Sequence, residues 1–263
     1  MKKALLYSLL FVLLTIVVFF AFIFGLPFLI WPDAEAGEHA NNIFDNYPLL
    51  LPSLSVIIWS LVTLFIFIKN KYADMSFGNM VPEHRWKFVV LGAVSVVLLK
   101  TALQPLMWIM NNEVSESRYT IIQMWMHSDI LVMLLLTMIH ITLEAVVFSA
   151  ILRELIIWSR RPMVSVAVVS VVCTMPNFTE INAYDAMPLL CTFIPLLYSG
   201  WLYYRTGSIW PSVTGMVLYD ALLFFTPVFD YISFALASAV ILPWVVIYLA
   251  KMLMKKVEPI GSR

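Results

Sequence analysis

Eight long apolar runs separated by short polar connections dominate this sequence. They cover residues 4–30, 48–68, 87–109, 130–158, 163–176, 186–204, 208–226 and 231–250. A helix needs about 20 residues to cross the hydrocarbon core of a bilayer, and most of these runs reach or approach that length. Their apolar residues are continuous, whereas the strands of a membrane β-barrel alternate apolar and polar positions. The sequence therefore predicts an all-α polytopic membrane helix bundle with about eight transmembrane helices.

The composition agrees with a chain that lies mostly in lipid. Hydrophobic residues make up 62% and charged residues 12% of the sequence, whereas soluble domains are about 25% charged. This balance excludes a disordered chain, a disulfide scaffold and a nucleic-acid-binding protein. Because no linker, repeat or low-complexity tract divides the sequence, we expect residues 1–263 to form a single integral membrane domain.

The charged residues predict the orientation of the spans. Of sixteen Lys and Arg residues, fourteen lie at the N-terminus, in alternate connections or in the C-terminal tail, and ten of the sixteen acids lie in the other connections. By the positive-inside rule, both termini are cytoplasmic, which requires an even number of spans. The first apolar run also resembles a signal peptide, with Ala34-Glu35-Ala36 as a candidate cleavage site, but its length favours a retained span.

A few polar residues fall deep within the predicted spans. Lys100, Glu144 and Asp220 lie inside them, and Asn177 follows the short fifth span. At a rise of about 1.5 Å per residue, all four lie at a similar depth, about 20 Å from the cytoplasmic ends of their helices. His140 precedes Glu144 by one helical turn and faces the same way. Ionisable groups in spans usually mark a site, but a salt-bridged knot of Lys100 with the two acids is an equally good interpretation.

Residues 200–213 contain a distinctive motif, Gly-Trp-Leu-Tyr-Tyr-Arg-Thr-Gly-Ser-Ile-Trp-Pro-Ser-Val. A Thr-Gly turn would reverse the chain, Ser208 would cap the next helix, and Trp210 would anchor at the interface. The motif resembles the third conserved block of the CAAX protease and bacteriocin-processing family of intramembrane proteases. Glu144 to Ser149 aligns with the first block of that family, Glu-Glu-x-x-x-Arg, and Cys173 to Asn177 with the second, Phe-x-x-x-His. The resemblance covers residues 130–250.

The resemblance implies a site in which paired Glu residues and a His activate water, and a further His and an Asn stabilise the oxyanion. This sequence departs from the pattern at most of those positions. Ala145 replaces the second Glu, Ser149 the Arg, Cys173 the Phe, Asn177 the first His, Met216 the second His, and Asp220 the Asn. Amide and thioether groups are not bases, and an ionised carboxylate repels an oxyanion. The usual family mechanism is therefore predicted to be lost.

Three functions remain open at this point. The favoured one is a catalytically degenerate relative that binds membrane lipid, a peptide or a transmembrane segment of another protein and acts as a regulatory or immunity-type protein. The second is an active peptidase with a rearranged centre of His140, Glu144, Asn177 and Asp220. The weakest is a small transporter in which Lys100, Glu144 and Asp220 form a relay. Nothing in the sequence indicates a cofactor, a metal motif or a nucleic-acid partner. We expect a bacterial cytoplasmic membrane location.

Overall fold

The structure is a computed structural model that describes residues 80, 82–110, 130–174, 186–224 and 231–256, together with positions 57, 60 and 61. Within these ranges the chain is helical, without a β-strand. A 3-10 turn, Pro82–His84, leads into the first long helix. The helices are α1 (Arg85–Met110), α2 (Ile130–Ser159), α3 (Pro162–Thr174), α4 (Ala186–Thr206), α5 (Trp210–Phe224) and α6 (Tyr231–Lys256).

These helices correspond to the last six predicted spans, and the all-α prediction is confirmed for them. α6 ends at Lys256, beyond the predicted boundary at residue 250. The helical segments Arg85–Leu103, Leu134–Ser159 and Ala235–Met254 are long and apolar enough to cross a membrane. The protein is therefore an integral membrane protein. The two N-terminal spans, 4–30 and 48–68, lie outside the described residues except for positions 57, 60 and 61.

Helices α1 and α5 pack side by side and run parallel, because their contacts advance together along both chains. A Cβ atom on Gly92 would lie 2.6 Å from Pro211 Cβ, and one on Gly215 would lie 2.6 Å from Val96 Cβ and 2.8 Å from the Ala93 carbonyl oxygen. Side chains are excluded at both glycines, so the two backbones approach closely. The same interface brings Lys100 of α1 and Asp220 of α5, which lie beyond these glycines, close to each other.

Helix α4 runs antiparallel to α1. Tyr198 donates a 2.8 Å hydrogen bond to Ser95. Later in α1 but earlier in α4, the Cys191 thiol lies 3.5 Å from the Leu103 carbonyl oxygen. On its other side α4 packs on α2 and α3, where a Cβ atom on Gly200 would meet Val166 Cγ1 at 2.8 Å. Helix α4 therefore lies between α1 and the α2–α3 pair.

Two tight turns join the helices at one end of the bundle. Gly207 adopts φ 68° after α4 and donates a 2.7 Å hydrogen bond to the Tyr203 carbonyl, which is the left-handed helix end that favours glycine. The Ser208 hydroxyl then accepts a hydrogen bond from the Trp210 N–H at 3.3 Å. The predicted Thr-Gly turn and serine cap are both present. Arg160, at φ 55°, makes the equivalent end of α2.

Trp210, which the sequence predicts to be an interfacial anchor, also contributes to packing. It is half-buried and packs against both hydrophobic clusters of the described helices, as does Met216. One cluster lies among α2, α3, α4 and α5, and the other mainly among α1, α4 and α6. The Trp-Pro step at the start of α5 places the indole between them, so it contributes to packing.

Candidate functional site

The predicted polar residues form two pairs at the junction of α1, α2 and α5. Lys100 Nζ lies 3.4 Å from Asp220 Oδ1, with both side chains about a quarter exposed. The same ammonium sits 4.2 Å from the centre of the Tyr219 ring, within the range of a cation–π interaction. The contact continues the parallel α1–α5 interface by one turn beyond Gly215. The Lys100 ammonium therefore interacts with both the Asp220 carboxylate and the Tyr219 ring.

The second pair lies on α2. His140 Nε2 is 3.8 Å from Glu144 Oε2, as expected for residues one turn apart on one helix face. Glu144 also lies within electrostatic range of Lys100 and Asp220, so the two pairs are neighbours. Lys100 has its direct contact with Asp220 and not with both acids. The described contacts thus divide the predicted knot into two adjacent pairs.

A pocket of about 420 Å³, a volume that includes its open mouth, lies beside Glu144 between α2, α4 and α5. Its wall is mostly apolar, with Ile141, Phe148, Leu196, Tyr203, Ile209 and Met216 around it. The lining residues with polar side chains are Glu144, Tyr203 and three serines, Ser149, Ser199 and Ser212. The pocket is thus an apolar cavity with one acidic group.

Three of the positions that the sequence predicts to be degenerate lie in the wall of this pocket. Ala145, Ser149 and Met216 line the same pocket as Glu144. Where the family pattern has a second Glu and an Arg, this chain has a methyl group and a hydroxymethyl group, and the Ser149 hydroxyl is held by the Val146 carbonyl at 2.8 Å. The pocket therefore occupies space beside the two truncated positions, and Met216 gives its wall a thioether.

The other predicted site residues that the structure describes are not among those that line the pocket. Asp220 is directed to Lys100, and neither residue is among those that line the pocket. Cys173 is buried in the hydrophobic cluster that α2, α3, α4 and α5 form. Asn177 lies outside the described residues, so its place in the site stays a prediction. Catalytic roles for these residues also stay predictions.

Ser199 and Ser212 were not predicted from the sequence. Both are buried, with exposures of 5% and 6%, and neither hydroxyl oxygen has a hydrogen-bond partner among the described residues. Single serines in apolar helices carry little signal, because most of them bond to their own helix backbone. Ser212 is the second-last residue of the 200–213 motif and Ser199 immediately precedes the motif. Their closeness to this motif was the one sequence signal for the two serines.

The chemistry that this arrangement supports is limited. Glu144 beside His140 has the composition of a general base with a proton partner. However, Met216 offers no hydrogen-bond donor to an oxyanion, and Asp220 is a carboxylate. In the described part of the chain, no three His, Cys, Asp or Glu side chains are grouped to hold a metal ion.

Comparison with protein-family models gives a match for part of the chain. Residues 126–222 match the family model described as Rce1-like, Type II CAAX prenyl endopeptidase. This segment includes α2 to most of α5, and with them the whole pocket wall. The match confirms the resemblance to the CAAX protease and bacteriocin-processing family, and the protein is a membrane protein with a CAAX protease-like core. Comparisons with curated proteins and with solved structures gave no match.

Proposed function

We propose that this protein is a non-proteolytic relative of the CAAX-type membrane proteases that binds an apolar ligand in the pocket beside Glu144. The observation that carries the proposal is that Ala145, Ser149 and Met216 line that pocket together with Glu144. Substitutions that remove catalytic groups thus occur in the same wall that leaves room for a ligand.

The proposal includes the membrane arrangement. Eight spans with both termini in the cytoplasm place the α2–α3 and α4–α5 turns on the cytoplasmic side, where Arg160, Arg161 and Arg205 fit the positive-inside rule. A bacterial cytoplasmic membrane suits this arrangement. The partners are membrane lipid and, through the pocket, a peptide or a transmembrane segment of another protein, with a regulatory or immunity-type outcome.

Ligand binding is tested on the full chain in nanodiscs with a neutral photoreactive probe, an alkyl diazirine that carries a hydroxyl group. We expect saturable labelling of the pocket wall, mapped by mass spectrometry to peptides that contain Phe148 or Met216. The variant Ala145→Leu should fill the pocket and reduce the labelling at least fivefold. Ala237→Leu, on the exposed face of α6, is the matched control and should leave labelling unchanged. Equal labelling of both variants would reject pocket binding.

The non-proteolytic part has its own test. Proteoliposomes that contain the protein should leave a prenylated peptide intact, whereas the triple variant Ala145→Glu, Asn177→His, Met216→His restores the family groups and is expected to recover cleavage. Cleavage by the natural chain that disappears in Glu144→Gln would establish an enzyme instead.

That outcome corresponds to a second candidate function, an active peptidase with a rearranged centre. One specific observation favours it, the 3.8 Å contact between His140 Nε2 and Glu144 Oε2. A carboxylate with an adjacent imidazole can activate water. In this case His140→Gln should reduce cleavage as strongly as Glu144→Gln.

A further inference from the structure

We propose that the turn between α2 and α3 binds the phosphate group of an anionic phospholipid through Arg160 and Arg161. This inference goes beyond the proposed function, because it concerns the turn end of the bundle and does not depend on the pocket. It rests on two exposed cations, on a turn that hydrogen bonds hold in one conformation, and on exposed apolar side chains beside it.

Arg160 occupies a backbone position that favours glycine. Helices α2 and α4 end in the same way, since the Arg160 N–H bonds to the Ile156 carbonyl at 3.1 Å and the Gly207 N–H bonds to the Tyr203 carbonyl at 2.7 Å. The two residues have φ values of 55° and 68°, a conformation that strains a residue with a side chain and suits glycine. The variant Arg160→Gly would therefore remove the cation and relieve the turn at once.

Hydrogen bonds fix the backbone of the next residue, Arg161. Its N–H donates to the Ser159 hydroxyl at 3.0 Å. Its carbonyl oxygen accepts from the Ser165 N–H at 3.0 Å and from the Ser165 hydroxyl at 3.1 Å, and the two serine hydroxyls lie 2.7 Å apart. The turn thus holds its arginines on one defined backbone, which reduces the entropy lost when a ligand binds.

The charge of this turn is available to a ligand. Arg160 and Arg161 are both exposed, and neither forms an ion pair with a described residue. Residues 153–161 contain three arginines and one glutamate, a net charge of +2, and Arg205 in the last turn of α4 adds a cation at the same end of the bundle. Guanidinium groups bind phosphate through paired, charge-assisted hydrogen bonds. The turn is therefore complementary to an anionic phosphate group.

Exposed apolar side chains lie on both sides of the two arginines. Trp158, near the end of α2, is 51% exposed, and Met163, near the start of α3, is 53% exposed. Tryptophan favours the level of the headgroups in a bilayer, so Trp158 places this turn where lipid phosphates lie. The glycerol and acyl groups of a phospholipid can contact these side chains, whereas a free phosphate ion gains nothing from them. The surroundings therefore favour a phospholipid over a water-soluble anion.

The experiment uses the full chain in phosphatidylcholine nanodiscs that contain a minor share of phosphatidylglycerol. Two photoreactive lipids, one with each headgroup, carry the same diazirine near the glycerol backbone and are added in equal trace amounts. Labelled peptides are mapped by mass spectrometry. The readout is the ratio of phosphatidylglycerol to phosphatidylcholine labelling at peptides that contain Trp158 or Met163. Because the two probes differ in the headgroup alone, this ratio reports on headgroup selection at the turn.

We expect the natural chain to prefer phosphatidylglycerol at the turn by about fivefold or more, since each arginine near the interface attracts anionic lipid. Arg160→Gly and Arg161→Gln should each lower the ratio, and the double variant should bring it close to one. Arg160→Gly should unfold in detergent at the same temperature as the natural chain or a higher one, because glycine suits φ 55°. A lower ratio in this variant would therefore not reflect a damaged fold.

Lys87→Gln is the matched control. Lys87 is an exposed cation at the start of α1, which α4 separates from the α2–α3 pair, so this variant should keep the preference at the turn. Raising the salt concentration should weaken the preference of the natural chain, as expected for an exposed electrostatic site.

Three results would overturn the proposal. The first is equal labelling by the two lipids in the natural chain. The second is a preference that persists in the double variant or that Lys87→Gln removes as fully, because overall charge would then be responsible. The third is loss of the preference in excess inorganic phosphate at constant ionic strength, which would indicate a water-soluble anion. None of these results affects the pocket, which is tested with a neutral probe.

Discussion

Helix α5 presents two contrasting faces to its neighbours. Towards α1, glycine at position 215 brings the backbones into contact, and Asp220 is paired with Lys100. Towards α2 and α4, the same helix borders a pocket lined by Glu144, which contacts His140, and by Ser212, whose hydroxyl has no hydrogen-bond partner among the described residues. The first face is closely packed and pairs its acidic residue. The second borders open volume, and this difference separates a structural interface from the proposed ligand site.

The contrast between the two faces explains why Asp220 contacts α1 and does not line the pocket. The family resemblance aligns it with an Asn that stabilises an oxyanion, whereas here its carboxylate contacts a lysine from α1, a helix outside the matched segment of residues 126–222. A position that the resemblance connects with chemistry has thus become part of helix packing. Its neighbour one turn earlier, Met216, still lines the pocket.

The largest expected effect is on the closely packed face. Gly215→Val would place Cβ within 2.6 Å of Val96 Cβ and 2.8 Å of the Ala93 carbonyl oxygen, and backbone atoms cannot move aside easily. Overpacking of this kind costs about 1–3 kcal/mol or more, and we expect the upper end. Thermal unfolding in detergent measures the loss. Ala237→Val, on the exposed face of α6, should unfold at the same temperature as the natural chain, and similar losses in both variants would contradict the close approach.

The next effect concerns the charge pair. Lys100→Met leaves Asp220 without its partner, which we expect to cost about 2 kcal/mol, less than the ~3–5 kcal/mol of a fully buried pair because both side chains are about a quarter exposed. Combining it with Asp220→Asn should recover about 1 kcal/mol of that loss. The cycle of Lys100→Met with Glu144→Gln should show weaker coupling, and stronger coupling there would mean that Lys100 belongs to the pocket.

A smaller effect, of opposite sign, is expected on the pocket face. Replacing Ser199 and Ser212 with alanine removes two buried hydroxyls that have no partner among the described residues, so the free energy of unfolding should stay unchanged or rise by up to about 1 kcal/mol. Thr206→Val is the control, because the Thr206 hydroxyl donates to the Leu202 carbonyl at 2.7 Å, and its loss should cost about 1 kcal/mol. Destabilisation of the serine variant comparable with that of Thr206→Val would show that the serines are satisfied.

The smallest expected effect on stability is that of Glu144→Gln. The substitution keeps the shape of the side chain and removes a charge whose direct contact among the described residues is His140, at 3.8 Å. We therefore expect a change within about 0.5 kcal/mol. A loss of several kcal/mol, measured by the same unfolding assay, would instead place Glu144 in a structural ion pair.

Much of the helix arrangement was predictable because lipid imposes a simple rule. A span must be a continuous apolar helix, so the boundaries of α1 to α5 could be read within a few residues from hydropathy. Equal depth also predicted that Lys100 and Asp220 lie at one level. Depth carries no information about direction around a helix axis, so it could not separate the Lys100–Asp220 contact from the His140–Glu144 contact.

The sequence by itself determined the membrane location and the helical class, since composition and apolar length are local properties. The tertiary structure decided which groups meet. The close approach at Gly92 and Gly215 aligns α1 with α5 and directs Asp220 to Lys100, away from the pocket. The packing of α2, α4 and α5 also places Glu144, Ala145, Ser199 and Ser212 in the wall of one pocket. Such neighbours depend on how helices distant in sequence rotate and pack, which no local pattern specifies.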